Sequence, residues 1–155
     1  DVGGSFNINP PIPRILLAQV KRPDGAFVVD AISTDGGCIP RNVILSQGLS
    51  LVKLDILTLT EFAQKTSLNP ARMLRLTNKG HLSGGADADI TIYDYAAQTP
   101  KMSFVEGRKV LFKGEVLGKN ANIICTERGQ KAIEARGLKA IVVDPGLPVD
   151  RVKAL

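Results

Sequence analysis

The stretch Asn69-Pro70-Ala71-Arg72, followed shortly by Lys79-Gly80-His81-Leu82-Ser83-Gly84-Gly85-Ala86-Asp87-Ala88-Asp89-Ile90-Thr91-Ile92-Tyr93-Asp94, is where the sequence changes character. Asparagine suits a helix N-cap and proline suits the first helical position, so Asn69-Pro70 predicts a short helix. Met73, Leu74 and Leu76 are its expected buried residues. Gly84-Gly85 predicts a turn. After it, Ile90 and Ile92 alternate with polar residues, the period of a strand. Asp89 stands at the strand entrance, where a short carboxylate can accept backbone amides at the turn.

Working upstream, Thr58 and Glu61 have the spacing of a capping box and predict a helix start at Thr58. Pro40 opens an earlier helical stretch with Val43, Ile44, Leu45, Leu49 and Val52 as its apolar set. Before it, Ala26-Phe27-Val28-Val29-Asp30-Ala31-Ile32 reads as a buried strand rich in β-branched residues, ending at the polar corner Ser33-Thr34-Asp35-Gly36-Gly37. Residues 1–25 carry Pro10, Pro11, Pro13 and Pro23, which argues against a central strand or a long helix. Ile15–Val20 is compatible with one strand or a helical turn.

Downstream, Phe104-Val105, Val110–Phe112 and Val116-Leu117 read as short strands joined by tight turns at Glu106-Gly107 and Lys113-Gly114. Asn122–Thr126 predicts another strand, and Glu127–Arg136 a helix stopped by Gly137. Ile141-Val142-Val143 predicts a last strand. The expected order is one strand, three helices, then a mostly β module with one helix.

Residues 69–94 resemble the signature near the C-terminus of the amidohydrolase superfamily. There an Asn-Pro-Ala helix is followed by a glycine-bearing turn, an Ala-Asp pair, an apolar strand and an aspartate. Dihydroorotases, hydantoinases, isoaspartyl dipeptidases, enamidases and the A subunit of formylmethanofuran dehydrogenase are similar here. The likeness extends less sharply over residues 26–117, and the tail Ile141–Pro145 is weakly similar to the last of these families. The resemblance implies an α+β chain: the last strand and helices of a (β/α)8 TIM-type barrel (1–78), then part of a β-sandwich with one helix (79–155).

The resemblance also implies a role for Asp35. In the superfamily the eighth barrel strand ends in an aspartate that contacts the metal and takes a proton from its bound water. Asp35 matches that place, and in barrel enzymes chemistry sits at that end of the strands. Taken without the resemblance, Asp35 reads better as a turn cap before Gly36-Gly37. Ser33 and Thr34 would help shape the same pocket.

The superfamily takes most of its metal ligands from histidines, and this chain has one, His81. A zinc site normally needs three or four protein ligands. Asp35, Cys38 and His81 do not form a natural set, and His81 reads as a turn residue. The expectation is therefore the C-terminal part of a metal-dependent hydrolase of amide or cyclic amide C–N bonds, inactive alone. Its divalent metal, zinc by family usage, would need the missing barrel histidines beside Asp35. The alternative is a non-catalytic structural or interaction module derived from such a tail.

Composition narrows the other classes. Apolar residues make up 44% of the 155-residue chain, enough for a packed core, and no apolar run is long enough to span a bilayer. The net charge is +5, but the basic residues are dispersed and aromatics are only 5%, which speaks against nucleic-acid binding. Cys38 and Cys125 lack CxxC spacing and read as reduced thiols of a cytoplasmic protein. Asp1-Val2-Gly3-Gly4-Ser5 is not a signal peptide and reads as a cut. Ser33 and Ser46 lack an evident base, no phosphate loop occurs, and Arg128–Lys131 reads as a solvated helix face. The expected partner is the remaining barrel half, or a second copy through open strand edges.

Overall fold

The computed structural model describes residues 11–33, 43–118 and 122–144. The chain divides into two compact units, Asp1–Asn69 with Tyr93–Thr99, and Pro70–Ile92 with Pro100–Leu155.

In the first unit, helix α1 spans Pro11–Gln19. Its prolines at 11 and 13 fall in the first turn, where backbone amides have no intrahelical acceptor in any case. Helix α2 spans Ile44–Lys53 and α3 spans Leu59–Ala63. The capping box at the head of α3 is complete: Thr58 Oγ1 accepts the Glu61 amide at 3.1 Å, and Glu61 Oε2 accepts the Thr58 amide at 2.8 Å. The core gathers Phe27, Leu49, Val52, Leu57 and Phe62, with Ile32, Ile44, Leu45 and Tyr93 packed against it. The apolar set expected for α2 therefore faces the core, except Val43, which is more exposed. Pro40, expected to open that helix, lies outside the described residues.

Two expectations are corrected in this unit. Ala26–Ile32 is not a strand. Only Phe27 makes a ladder contact, antiparallel with Lys21. A strand exists only where neighbouring strands take up its amides and carbonyls. Here, beyond Val28, two side chains and one backbone carbonyl do that work. Lys65 Nζ donates to the Val29 carbonyl, Asn69 Nδ2 donates to the Asp30 carbonyl at 2.8 Å, and the Ile32 amide donates to the Lys65 carbonyl at 3.0 Å.

The second correction concerns Asn69, which is not an N-cap. Its backbone is helical (φ −67°, ψ −44°), and a cap residue is not. Helix α3 runs without a break through a π turn, Gln64–Leu68, into α4, Asn69–Met73. Pro70 explains the π turn. Inside a helix a proline ring meets the carbonyl four residues back, here that of Thr66, and offers no amide in return. One extra residue per turn relieves that crowding, and the Asn69 amide reaches back to Gln64. Met73 is exposed, and Ala71 takes the buried place on α4 instead.

In the second unit, β1 (Ile90–Asp94), β2 (Thr99–Val105), β3 (Arg108–Phe112) and β4 (Glu115-Val116) form a sheet in that order. Tyr93–Thr99, which takes in the end of β1, the turn and the first residue of β2, belongs to the first unit. The β2–β3 and β3–β4 pairs are antiparallel. Their turns place Glu106 and Gly107 (φ 50° and 74°), then Lys113 and Gly114 (φ 48° and 87°), in the left-handed region. That pair of positive φ angles makes the primed turn whose twist matches the flanking strands. A separate parallel pair, β5 (Asn122–Cys125) and β6 (Lys139–Val142), is joined by helix α5 (Glu127–Glu134). Gly137, at φ 72°, closes α5. Its amide reaches Glu134, and the Leu138 amide reaches Ile133, which is the Schellman arrangement.

Gly48 on α2 sits so close to Phe62 that a Cβ there would lie 2.2 Å from the ring. Gly48→Ala gains about 1 kcal/mol of helix propensity but overpacks the core, at a cost of about 1–3 kcal/mol or more. We expect a lower urea midpoint for Gly48→Ala with an unchanged m-value. A higher midpoint would contradict the close packing.

Candidate functional site

The residue singled out by sequence, Asp35, lies outside the described residues, as do Thr34 and Cys38. The structure does define the chain as far as Ser33. Lys65 is fully buried, although lysine is rarely so without a carboxylate partner. Its ammonium stands 3.8 Å from the Phe27 ring centroid, within cation–π range, besides donating to Val29. Burial pushes the Lys65 ammonium below the ordinary lysine value. The Glu61 charge opposes that push and Lys21 adds to it. Lys21 lies on the same Phe27 ring at 5.1 Å and is ion-paired with Glu61. That pairing, followed by the Thr58 amide, holds the Glu61 carboxyl down at about 2. Residues 29–32 are thus gripped by groups on one helical face, and Ser33 follows directly as an exposed residue.

A second cluster organises the signature stretch. Lys79 Nζ lies 2.8 Å from Asp87 Oδ2 and 2.6 Å from Asp89 Oδ2. Burial disfavours the Lys79 charge, but the two carboxylates outweigh it and raise its pKa above the ordinary value. Asp89 Oδ1 accepts the Glu106 amide at 2.8 Å, so the expected amide contact exists, made to the β2–β3 turn. Gly107 donates its amide to the Ala88 carbonyl at 3.1 Å. Ala88 and Asp89 therefore clamp that turn onto the start of β1, a structural task.

His81 behaves as the turn residue the sequence suggested. A carbonyl can only accept and an amide can only donate. Nε2–H therefore donates to the Thr77 carbonyl at 2.9 Å, while Nδ1 accepts the Ser83 amide at 3.4 Å. Both ring nitrogens are engaged, so His81 is not a ready metal ligand. Ser46 donates its hydroxyl to the Val43 carbonyl at 3.2 Å, as helical serines do. Arg128 and Lys131 are exposed on α5, in keeping with a solvated face. Cys125 is a half-buried free thiol packed against Gly129. Among the described residues, no three His, Cys, Asp or Glu side chains come together to hold a metal. The donor set present does not fit the superfamily's metal centre by itself.

A profile of the amidohydrolase family matches residues 13–126. The chain belongs to the amidohydrolase family. It is 30% identical over 121 residues to the A subunit of the formyltransferase/hydrolase complex of Methylorubrum extorquens, an alignment covering 74% of this chain and 20% of that one. It is 50% identical over 48 residues to the dihydroorotase of Syntrophus aciditrophicus, covering 31% of this chain and 11% of that one. The amidohydrolase chain also resembles, in fold, a chain of the formyltransferase/hydrolase complex from M. extorquens crystallised with methylofuran. The TM-score is 0.52 at 20% identity, covering 78% of this chain and 29% of that chain. This amidohydrolase chain thus spans about a fifth of the length of the first curated relative. No helix among its described residues is long and apolar enough to cross a membrane.

Sequence reasoning passed over Lys65 and read Asn69 only as a helix cap. A signal was there: Phe62, Lys65 and Asn69 fall at i, i+3 and i+7, which puts two polar residues on the stripe that Phe62 marks as buried.

Glu61 titrates near 4.5 when free of these contacts and near 2 in the fold, so its contribution is complete above about pH 4.5 and is lost as pH falls toward 2. We expect acid unfolding of the wild-type chain to steepen across that window. Glu61→Gln should flatten this part of the pH–stability curve, followed by thermal melts from pH 7 to 2. Matching curves for the two proteins would overturn the assignment.

Proposed function

We propose that this chain is the C-terminal part of a metal-dependent amidohydrolase that hydrolyses a C–N bond in an amide or cyclic amide, and that it does not turn over substrate alone. The observation that carries the reading is the family match over residues 13–126, which takes in Ser33-Thr34-Asp35 and the signature through Asp94. On this reading residues 1–78 are the closing part of a TIM-type barrel and residues 79–155 belong to its companion β-sandwich. Asp35 is the carboxylate this chain brings to the site. Ser33 and Thr34 shape the pocket next to it.

The complete site would contain a divalent metal, zinc by family usage, whose chemistry is to activate water. The histidines to hold it come from outside this chain, since its one histidine is engaged through both nitrogens. The chain's own share of the chemistry is the proton that the Asp35 carboxylate can accept. The remaining barrel half is the natural partner. The free thiol of Cys125 supports a cytoplasmic setting.

A second reading has one observation in its favour. The M. extorquens relative is named as part of a formyltransferase/hydrolase complex, so a chain of this kind could serve as an interaction module within an assembly, without catalysis. Light scattering and Asp35→Asn separate the two readings. In the complete hydrolase, Asp35→Asn should abolish turnover while leaving the fold intact by circular dichroism. Retained turnover would remove Asp35 from the mechanism, and a stable oligomer of the isolated chain with no active parent would favour the module. The isolated chain should also show no gain in melting temperature when zinc is added in excess. A rise of several degrees would reveal a tight site in the native state.

A further inference from the structure

Residues 29–32 are held by a device that the reading of Asp35 does not use. The carbonyls of Val29 and Asp30 are consecutive in the chain. In a regular strand they would point to opposite sides and need a neighbour on each. Here both are taken by side chains four residues apart on one helix, Lys65 and Asn69. Positions i and i+4 of a helix lie on one face, and Lys65 and Asn69 hold that spacing across the π turn. The third contact, from the Ile32 amide to the Lys65 carbonyl at 3.0 Å, comes from the same turn. Three hydrogen bonds thus fix four residues of chain immediately before Ser33.

We propose that Lys65 and Asn69 are positioning residues, which take the place of a neighbouring strand for Val29–Ile32 and so set the path on which the chain enters Ser33-Thr34-Asp35. Neither touches the reacting atoms. The inference rests on the reading of Asp35 as the site carboxylate. The two donors differ in kind. Lys65 brings a buried cation that needs a carbonyl acceptor and the Phe27 face to be tolerated at all. Asn69 brings a neutral amide, whose side chain is free to donate to the Asp30 carbonyl because Asn69 lies inside a running helix and does not cap it.

The test uses Lys65→Met, which keeps the unbranched stem and removes the donors, and Asn69→Leu, which keeps the volume and removes the amide. Two readouts are taken together. In this chain, amide hydrogen exchange at Ile32 should accelerate at least about tenfold in either variant, with Leu49 and Val52 in α2 unchanged. In the complete hydrolase, kcat should fall at least about tenfold with KM within about twofold, the signature of a displaced catalytic group. If Lys65→Met does not fold, Asn69→Leu carries both measurements. Exchange at Ile32 and kcat both within about twofold of wild type in Asn69→Leu would overturn the proposal. Full turnover by Asp35→Asn also overturns it, by a distinguishable route: the site reading then fails while the exchange data still report the clamp.

Discussion

A proline inside a helix is the constraint from which the local structure around Lys65 and Asn69 follows. Pro70 has no amide to give, and its ring crowds the carbonyl of Thr66. A helix running from Leu59 to Met73 can include it only by widening, and the π turn Gln64–Leu68 is that widening. Lys65 and Asn69, four residues apart, share one face of that helix. Their side chains then reach the carbonyls of Val29 and Asp30, and the chain before Ser33 acquires a defined course without a strand partner. The capping box at Thr58 and Glu61 anchors the other end of the same helix, and Glu61 also holds Lys21. One helix thereby serves as cap, core wall through Phe62, and clamp.

What the sequence disclosed follows from how local each feature is. The capping box needs two residues three apart, so it was legible and is present. The primed turns at Glu106-Gly107 and Lys113-Gly114, and the Gly137 stop, are equally local and equally legible. Ala26–Ile32 failed as a strand because strand formation is a property of two segments, and composition speaks for only one. Asn69 failed as a cap because Asn-Pro signals a helix start only when no helix is already running, and Leu59–Leu68 was running. The Asp35 corner is legible only through the family resemblance, and that corner lies outside the described residues.

In the second unit the signature's aspartates have structural partners. Lys79 lies between Asp87 and Asp89, and Asp89 also takes the Glu106 amide. A carboxylate that accepts from an ammonium on one oxygen and from an amide on the other is engaged in holding the fold together. The recognisable pattern from Gly80 to Asp94 therefore marks how the chain turns into its sheet. Its value for function is indirect: it identifies the family, and the family directs attention to Asp35.

Lys65 bears on what the first unit is built to do. A buried cation is weak evidence for stability, since taking an ammonium out of water costs several kcal/mol and apolar residues of the same size often serve as well or better. The Phe27 face and a carbonyl offset that cost in part. An apolar side chain in its place could pack against Phe27, but it could not hold the Val29 carbonyl. Deprived of that donor, a buried carbonyl would seek water or a strand partner, and the backbone would move to find one. The feature that distinguishes lysine from methionine at this position is therefore directional. It fixes the chain at Val29, two residues after Phe27.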